Sequence, residues 1–221
     1  MTVHDIARRL PGISVLRDHC RALAVLDAIL SPEWTGRYYS YDSQWSGTEE
    51  MASMRNGSGD EYAIVFSPVG AYVCGFAHES HMSPYAADGP WPGVLDEVPE
   101  AFRPYVDEPA FSDEDGMPVV TACMWRGPQD AAWQAGTIDF PEDGTDDPDG
   151  AGYLFKLLAD RSAEAYQKFA EDYYGLPVDL EAVRHVHALR PLTSEVISAL
   201  NPDIGPSDLA EDFERIGYPR G

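Results

Sequence analysis

The residues best suited to chemistry are His78, Glu79 and His81, in the run His78-Glu79-Ser80-His81. Two imidazoles this close could share a divalent metal, with Glu79 as a further ligand or as a general base. A zinc protease needs His-Glu-x-x-His on a helix, so that both rings leave one face. Here the spacing is one residue shorter. The run also follows an apolar strand pattern and precedes Pro84, so a loop is expected. A third ligand would have to come from His19, His185 or His187. His185 and His187 flank Val186 on a predicted helix, where residues two apart do not face each other. The expected state of His78 and His81 is a pair of loop histidines in ordinary hydrogen bonds, with no metal or cofactor.

Carboxylates are the second candidate chemistry. Glu142, Asp143, Asp146, Asp147 and Asp149 crowd one segment, and hard cations bind carboxylate oxygens. The calcium-loop template fails, however. With Asp147 and Asp149 at its third and fifth positions, Thr145 takes the first and Lys156 the place of the bidentate glutamate. Ser112-Asp113-Glu114-Asp115-Gly116 fails likewise. Both segments read as solvated acidic loops. There is no Gly-x-Ser-x-Gly elbow and no phosphate-cradling Gly-rich motif. Cys20, Cys74 and Cys123 are widely spaced among apolar residues, as reduced core thiols of a cytoplasmic protein would be.

Charge narrows the classes of partner. The 221 residues carry 38 Asp and Glu against 15 Lys and Arg, a formal net charge of -23. From Asp96 to Asp149 fifteen residues are acidic and only Arg103 and Arg126 are basic. Such a field repels nucleic acid and anionic membrane and favours a basic protein. Acidity at this level also serves solubility in many bacterial cytosolic proteins. Trp91, held between Pro90 and Pro92, is the aromatic best placed to serve as an exposed anchor beside Asp113, Asp115, Asp143, Asp146, Asp147 and Asp149. Cations stack on rings and pair with acids, so this set is the expected partner-binding face. The first eleven residues lack the apolar stretch of a signal peptide, and no apolar run is long enough to span a bilayer.

These groups must be positioned by an α+β fold. Ser14 is the expected cap of an opening helix whose second half, Ala22 to Leu30, is apolar nearly all round and therefore buried. Pro32 ends it. Strands are predicted over Arg37–Trp45, Glu49–Asn56, Tyr62–Phe66, Ala71–Phe76 and Val119–Trp125. Ser67-Pro68-Val69-Gly70 is a turn between the third and fourth. A short helix is predicted around Glu97–Tyr105, inside an irregular connection over 83–118. Helices then start at Ser162, Asp179, Thr193 and Ser207. Strands in a block followed by helices in a block give a mainly antiparallel sheet of about five strands over 37–126, with a C-terminal block of short helices. The chain reads as one domain. Sub-lobes 1–140 and 150–221 are the natural division, joined by the acidic loop 141–150.

The functional expectation is a soluble binding module that occludes a basic partner. In overall character, though by no motif, it resembles the immunity proteins of bacterial toxin systems, whose acidity neutralises basic active-site clefts. A metal-assisted hydrolase built on His78, Glu79 and His81 is the alternative from another class. A structural or regulatory subunit without chemistry is the third.

Overall fold

The computed structural model describes residues 1–141 and 144–219. The α+β class holds: five strands, β1 (Tyr39–Ser46), β2 (Glu49–Arg55), β3 (Glu61–Ser67), β4 (Gly70–Phe76) and β5 (Ala122–Arg126), form one antiparallel sheet in sequence order. Contacts divide the chain into two compact units. One is Met1–Ile13 with Ser53–Ala159, and the other is Ser14–Ala52 with Asp160–Gly221. The acidic loop at 141–150 thus lies inside the first unit, and the opening helix and β1 belong with the C-terminal helices. Among the described residues no helix is long and apolar enough to cross a membrane.

The first unit is built on the β3–β4 hairpin, in register from Glu61 opposite Phe76 to Ser67 opposite Gly70. Tyr62 to Phe66 are buried without alternation, as their continuous apolar run requires of a strand covered on both faces. Gly70 closes the turn at a φ of 129°, and a Cβ there would sit 2.1 Å from the Arg126 carbonyl oxygen. Gly75 makes room on β4 for the ring of Phe155, which a Cβ would approach to 2.7 Å. Phe155 lies between two helical turns, α5 (Ala151–Leu154) and α6 (Lys156–Ala159), which the sequence pattern does not announce. A further element outside the expected set is α1 (Val3–Arg9), whose signal is local: Asp5, three residues after Thr2, accepts the Thr2 backbone N–H at 3.0 Å. The helix expected near Glu97–Tyr105 shrinks to a 3₁₀ turn at Glu100–Phe102 and the single turn α4 (Arg103–Val106), while α3 (Pro84–Ala87) supplies another turn upstream.

The second unit is organised by α2 (Ile13–Leu30). The helix begins at Ile13, so Ser14 lies inside it and is not its cap. Leu16, Leu23, Leu26 and Ile29 are buried to 1% exposure or less, and so is a carboxylate, Asp27. Ser162, Asp179 and Thr193 cap α7 (Ala163–Tyr174), α8 (Leu180–His187) and α9 (Ser194–Leu200), each accepting a first-turn N–H through its side chain as expected. Ser207 instead falls in the turn before α10 (Ala210–Ile216). Asn201 ties the end of α9 to α2 by donating from Nδ2 to the Ile29 carbonyl at 2.8 Å. Arg37 pairs with Asp212, which fastens α10 beside the entry to β1.

Asp27 holds these pieces in one arrangement. Its Oδ2 accepts the backbone N–H groups of Tyr38 and Tyr39 at 3.0 and 2.7 Å, and its Oδ1 accepts the Tyr166 hydroxyl at 2.7 Å. A helix, the start of a strand and a second helix therefore meet at one carboxyl group. Burial raises its pKa to about 6, against the lowering pull of these donors. The folded state consequently holds a proton more tightly than the unfolded chain, and stability rises as pH falls from about 6 toward 4. Urea unfolding should show a higher midpoint at pH 5 than at pH 7.5. Asp27→Asn, whose amide can donate to the Tyr166 hydroxyl, should keep the fold and narrow that difference by about 1 kcal/mol. Asp27→Leu strands three donors and should destabilise by more than about 3 kcal/mol. A wild-type midpoint that falls on acidification would contradict this account.

Candidate functional site

The two sequence segments singled out for chemistry come together in one cleft of the first unit. The cleft has a volume of about 470 Å³, and its walls include Asp60, Glu79, His81, Thr145, Asp147 and Tyr153. Among the described residues no lysine or arginine lines it. The His78–His81 run leaves the end of β4 as a turn, not a helix, and forms one wall. Thr145, Asp147, Pro148 and Gly150 of the acidic segment form the other. Ser80 joins them, donating from Oγ to the Pro148 carbonyl at 2.6 Å and accepting the Met82 N–H at 3.0 Å.

Two of the cleft carboxylates, Asp60 and Asp147, are held by hydrogen bonds. Asp60 Oδ1 accepts both the backbone N–H and the Nδ1 of His78, at 2.9 and 2.7 Å, while its Oδ2 accepts Asn56 Nδ2 at 2.6 Å. Asp147 accepts the N–H of Gly152 on Oδ1 at 2.8 Å and that of Tyr153 on Oδ2 at 2.9 Å. A carboxylate offers about four lone-pair sites. Asp147 is therefore oriented by the backbone and keeps acceptor capacity toward the cleft. Glu79 is 90% exposed and unconstrained by comparison. Tyr153 is 52% exposed and receives a hydrogen bond at its hydroxyl from Asn56, at 3.3 Å. The Met1 ammonium donates to the Asp146 carbonyl, leaving the Asp146 side chain exposed.

Asp149 has a different place from the one expected. It is fully buried, so it is a structural group and not part of an exposed face. Its Oδ2 accepts the Val3 N–H at the start of α1 at 2.7 Å, and its Oδ1 accepts the Ala151 N–H at 3.1 Å. Burial raises its pKa to about 6. Pro148 and Gly150 beside it are buried as well, which corrects the picture of 141–150 as a wholly exposed loop. Asp143 and Glu142 lie outside the described residues. Asp113 turns inward to its own loop, accepting the Asp115 and Met117 N–H groups at 3.0 and 2.8 Å, while Asp115 stays exposed. Trp91 is half-buried and pinned, its Nε1 donating to the Asp139 carbonyl at 2.9 Å, so it is not a projecting anchor. The aromatic at the acidic cleft is Tyr153, which sequence reasoning passed over because nothing in its local pattern marks its exposure.

The histidines do not assemble. His78 is bound to Asp60, and among the described residues no three His, Cys, Asp or Glu side chains are set to hold a metal ion. His19 meets His187 in the second unit, edge to face at 5.2 Å between centroids, and burial lowers the His187 pKa. His185 turns away to the Pro191 carbonyl at 2.9 Å. The three cysteines are buried thiols, and burial pushes all of them up, Cys123 to about 12. Thiols so far from ionisation are not nucleophiles.

No family model matches this sequence, and no curated protein or solved structure matches it at a significant level. What the chain can do is set by the cleft itself. Its shape depends on Gly150, which has a φ of 71° and where a Cβ would stand 2.2 Å from the Ala77 Cβ. Gly150→Ala should lower stability by about 1–3 kcal/mol through strain and clash. Gly12→Ala, which meets nothing within 4 Å, should stay within about 0.5 kcal/mol of wild type. Equal effects in thermal or urea unfolding would show that the cleft wall is not packed as described.

Proposed function

We propose that this chain is an acidic protein-binding module whose cleft takes a lysine or arginine side chain of a basic partner. The supporting observation is that Asp60, Glu79 and Asp147 line a concave site that no lysine or arginine lines among the described residues. The surrounding charge points the same way. The first unit carries twenty Asp and Glu against six Lys and Arg, while the second carries eighteen against nine. A partner's cation would be drawn in by this field, pair with carboxylates already oriented by backbone N–H groups, and lie against the exposed Tyr153 ring. Occlusion of a basic functional surface is the activity that fits. In a bacterial cytoplasm, immunity proteins that neutralise toxins work by this chemistry.

Charge reversal separates a local site from general acidity. Wild-type protein should capture a partner from a bacterial lysate at 50 mM NaCl and release it at 500 mM, because the interaction is screened. Reversal of Glu79 in the cleft and of the exposed Asp146 next to Asp147, as Glu79→Lys with Asp146→Lys, should slow association with the captured protein at least about tenfold at low salt. Asp203→Lys with Glu214→Lys makes the same change in net charge on exposed residues of the second unit. That variant should stay within about twofold. Identical losses in the two variants would reduce the acidity to a nonspecific field, and capture indifferent to the cleft reversal would reject the site.

A further inference from the structure

Two of the three thiols stand opposite each other in the sheet. In the antiparallel β4–β5 pairing, Cys74 is the register partner of Cys123, flanked by Val73 opposite Met124 and Gly75 opposite Ala122. Residues directly opposite in an antiparallel pair project to the same face, with Cβ atoms about 4.5–5.5 Å apart. A disulfide needs about 3.5–4.5 Å between Cβ atoms, so a small approach of the two strands closes the gap once the Cys74 thiol turns from the Ala63 carbonyl on β3, which it meets at 3.9 Å. Both residues are buried, at 6% and 0% exposure, and both are free thiols. Cys20, the third, belongs to the other unit.

We propose that Cys74 and Cys123 form a latent dithiol that two-electron oxidation by an azo compound or a small-molecule disulfide converts to a cross-strand disulfide. Both S–H bonds break and one S–S bond forms. Each sulfur gives up one proton and one electron, and the oxidant takes up both pairs, becoming a hydrazine or two thiols. Burial keeps the thiols protonated, so the reaction proceeds through transient opening of the β4–β5 edge. The link would lie just before the segment that forms the cleft wall. Thr121, two residues before Cys123, accepts the Ala77 N–H at 3.1 Å and donates to the Asp149 carbonyl at 2.7 Å. Oxidation would therefore stiffen the strand ends from which the acidic cleft is built. The proposal stands on strand register and is independent of what the cleft binds.

The test uses the full chain. Protein is incubated overnight with diamide, in native buffer and in urea just below the unfolding midpoint. It is then denatured, alkylated with iodoacetamide and mapped by mass spectrometry. The expected product is lighter by two hydrogens, with one linked peptide pair containing Cys74 and Cys123, a single alkylated residue at Cys20, and a raised unfolding midpoint that dithiothreitol reverses. Cys74→Ala should abolish the intramolecular link. Should that variant fail to fold, the wild-type map decides alone. Three alkylated cysteines under both conditions, or a link that includes Cys20, would overturn the proposal.

Discussion

A carboxylate removed from water must be met by hydrogen-bond donors, or it costs more than a small domain can tolerate. Among the described residues there are two such groups, one in each compact unit, and their needs fix much of what surrounds them. Asp27 brings the start of β1 and the hydroxyl of Tyr166 on α7 to the middle of α2. Asp149 brings the first N–H of α1 to the start of α5. In each case residues distant in sequence are joined by directional bonds that tolerate no slip of register. Apolar burial supplies most of the driving force for folding, but it is indifferent to such slips. The acceptors make each arrangement single-valued. The price is a proton affinity higher than a carboxylate's ordinary value, which leaves neutral pH on the unfavourable side of both titrations.

The acidic cleft inherits its order from the same kind of bond. Asp147 and Asp60 are held by backbone N–H groups and, for Asp60, by His78 and Asn56, so their oxygens have set directions before anything binds. Preformed acceptors lose little conformational entropy on association, which is where mobile side chains lose affinity. Within the cleft the residues of His78-Glu79-Ser80-His81 have separate tasks. One imidazole is committed to Asp60, Glu79 points to solvent, and Ser80 serves as the tie between loops. Glu79, Ser80 and His81 all line the cleft.

Much of this architecture can be read from the chain. Alternating Tyr39 and Tyr41, the unbroken run Tyr62–Phe66, the Pro68-Val69 turn and the capping residues Ser162, Asp179 and Thr193 all state their local structure, because strand period, turn geometry and orphan helix N–H groups are short-range constraints. The helices at α1, α5 and α6 escape this reading. One is seven residues long and the others four, too short for periodicity to register. Trp91 looked like an anchor because prolines flank it, but its indole N–H found a carbonyl across the loop.

An α+β class, a strong negative net charge, thiols set among apolar residues and two segments worth attention, the His78–His81 run and the acidic one at 142–149, are legible in the chain alone. Composition and local pattern suffice for such properties. Tertiary structure alone decided that those two segments share a cleft, that Tyr153 rather than Trp91 is its exposed aromatic, that Cys74 faces Cys123, and that Asp149 lies in the interior while Asp146 stays outside. Within one acidic run, the carboxylates carry the same charge and composition. Which of them meets a backbone N–H in the core and which meets water depends on contacts between residues far apart along the chain, and no local pattern encodes those.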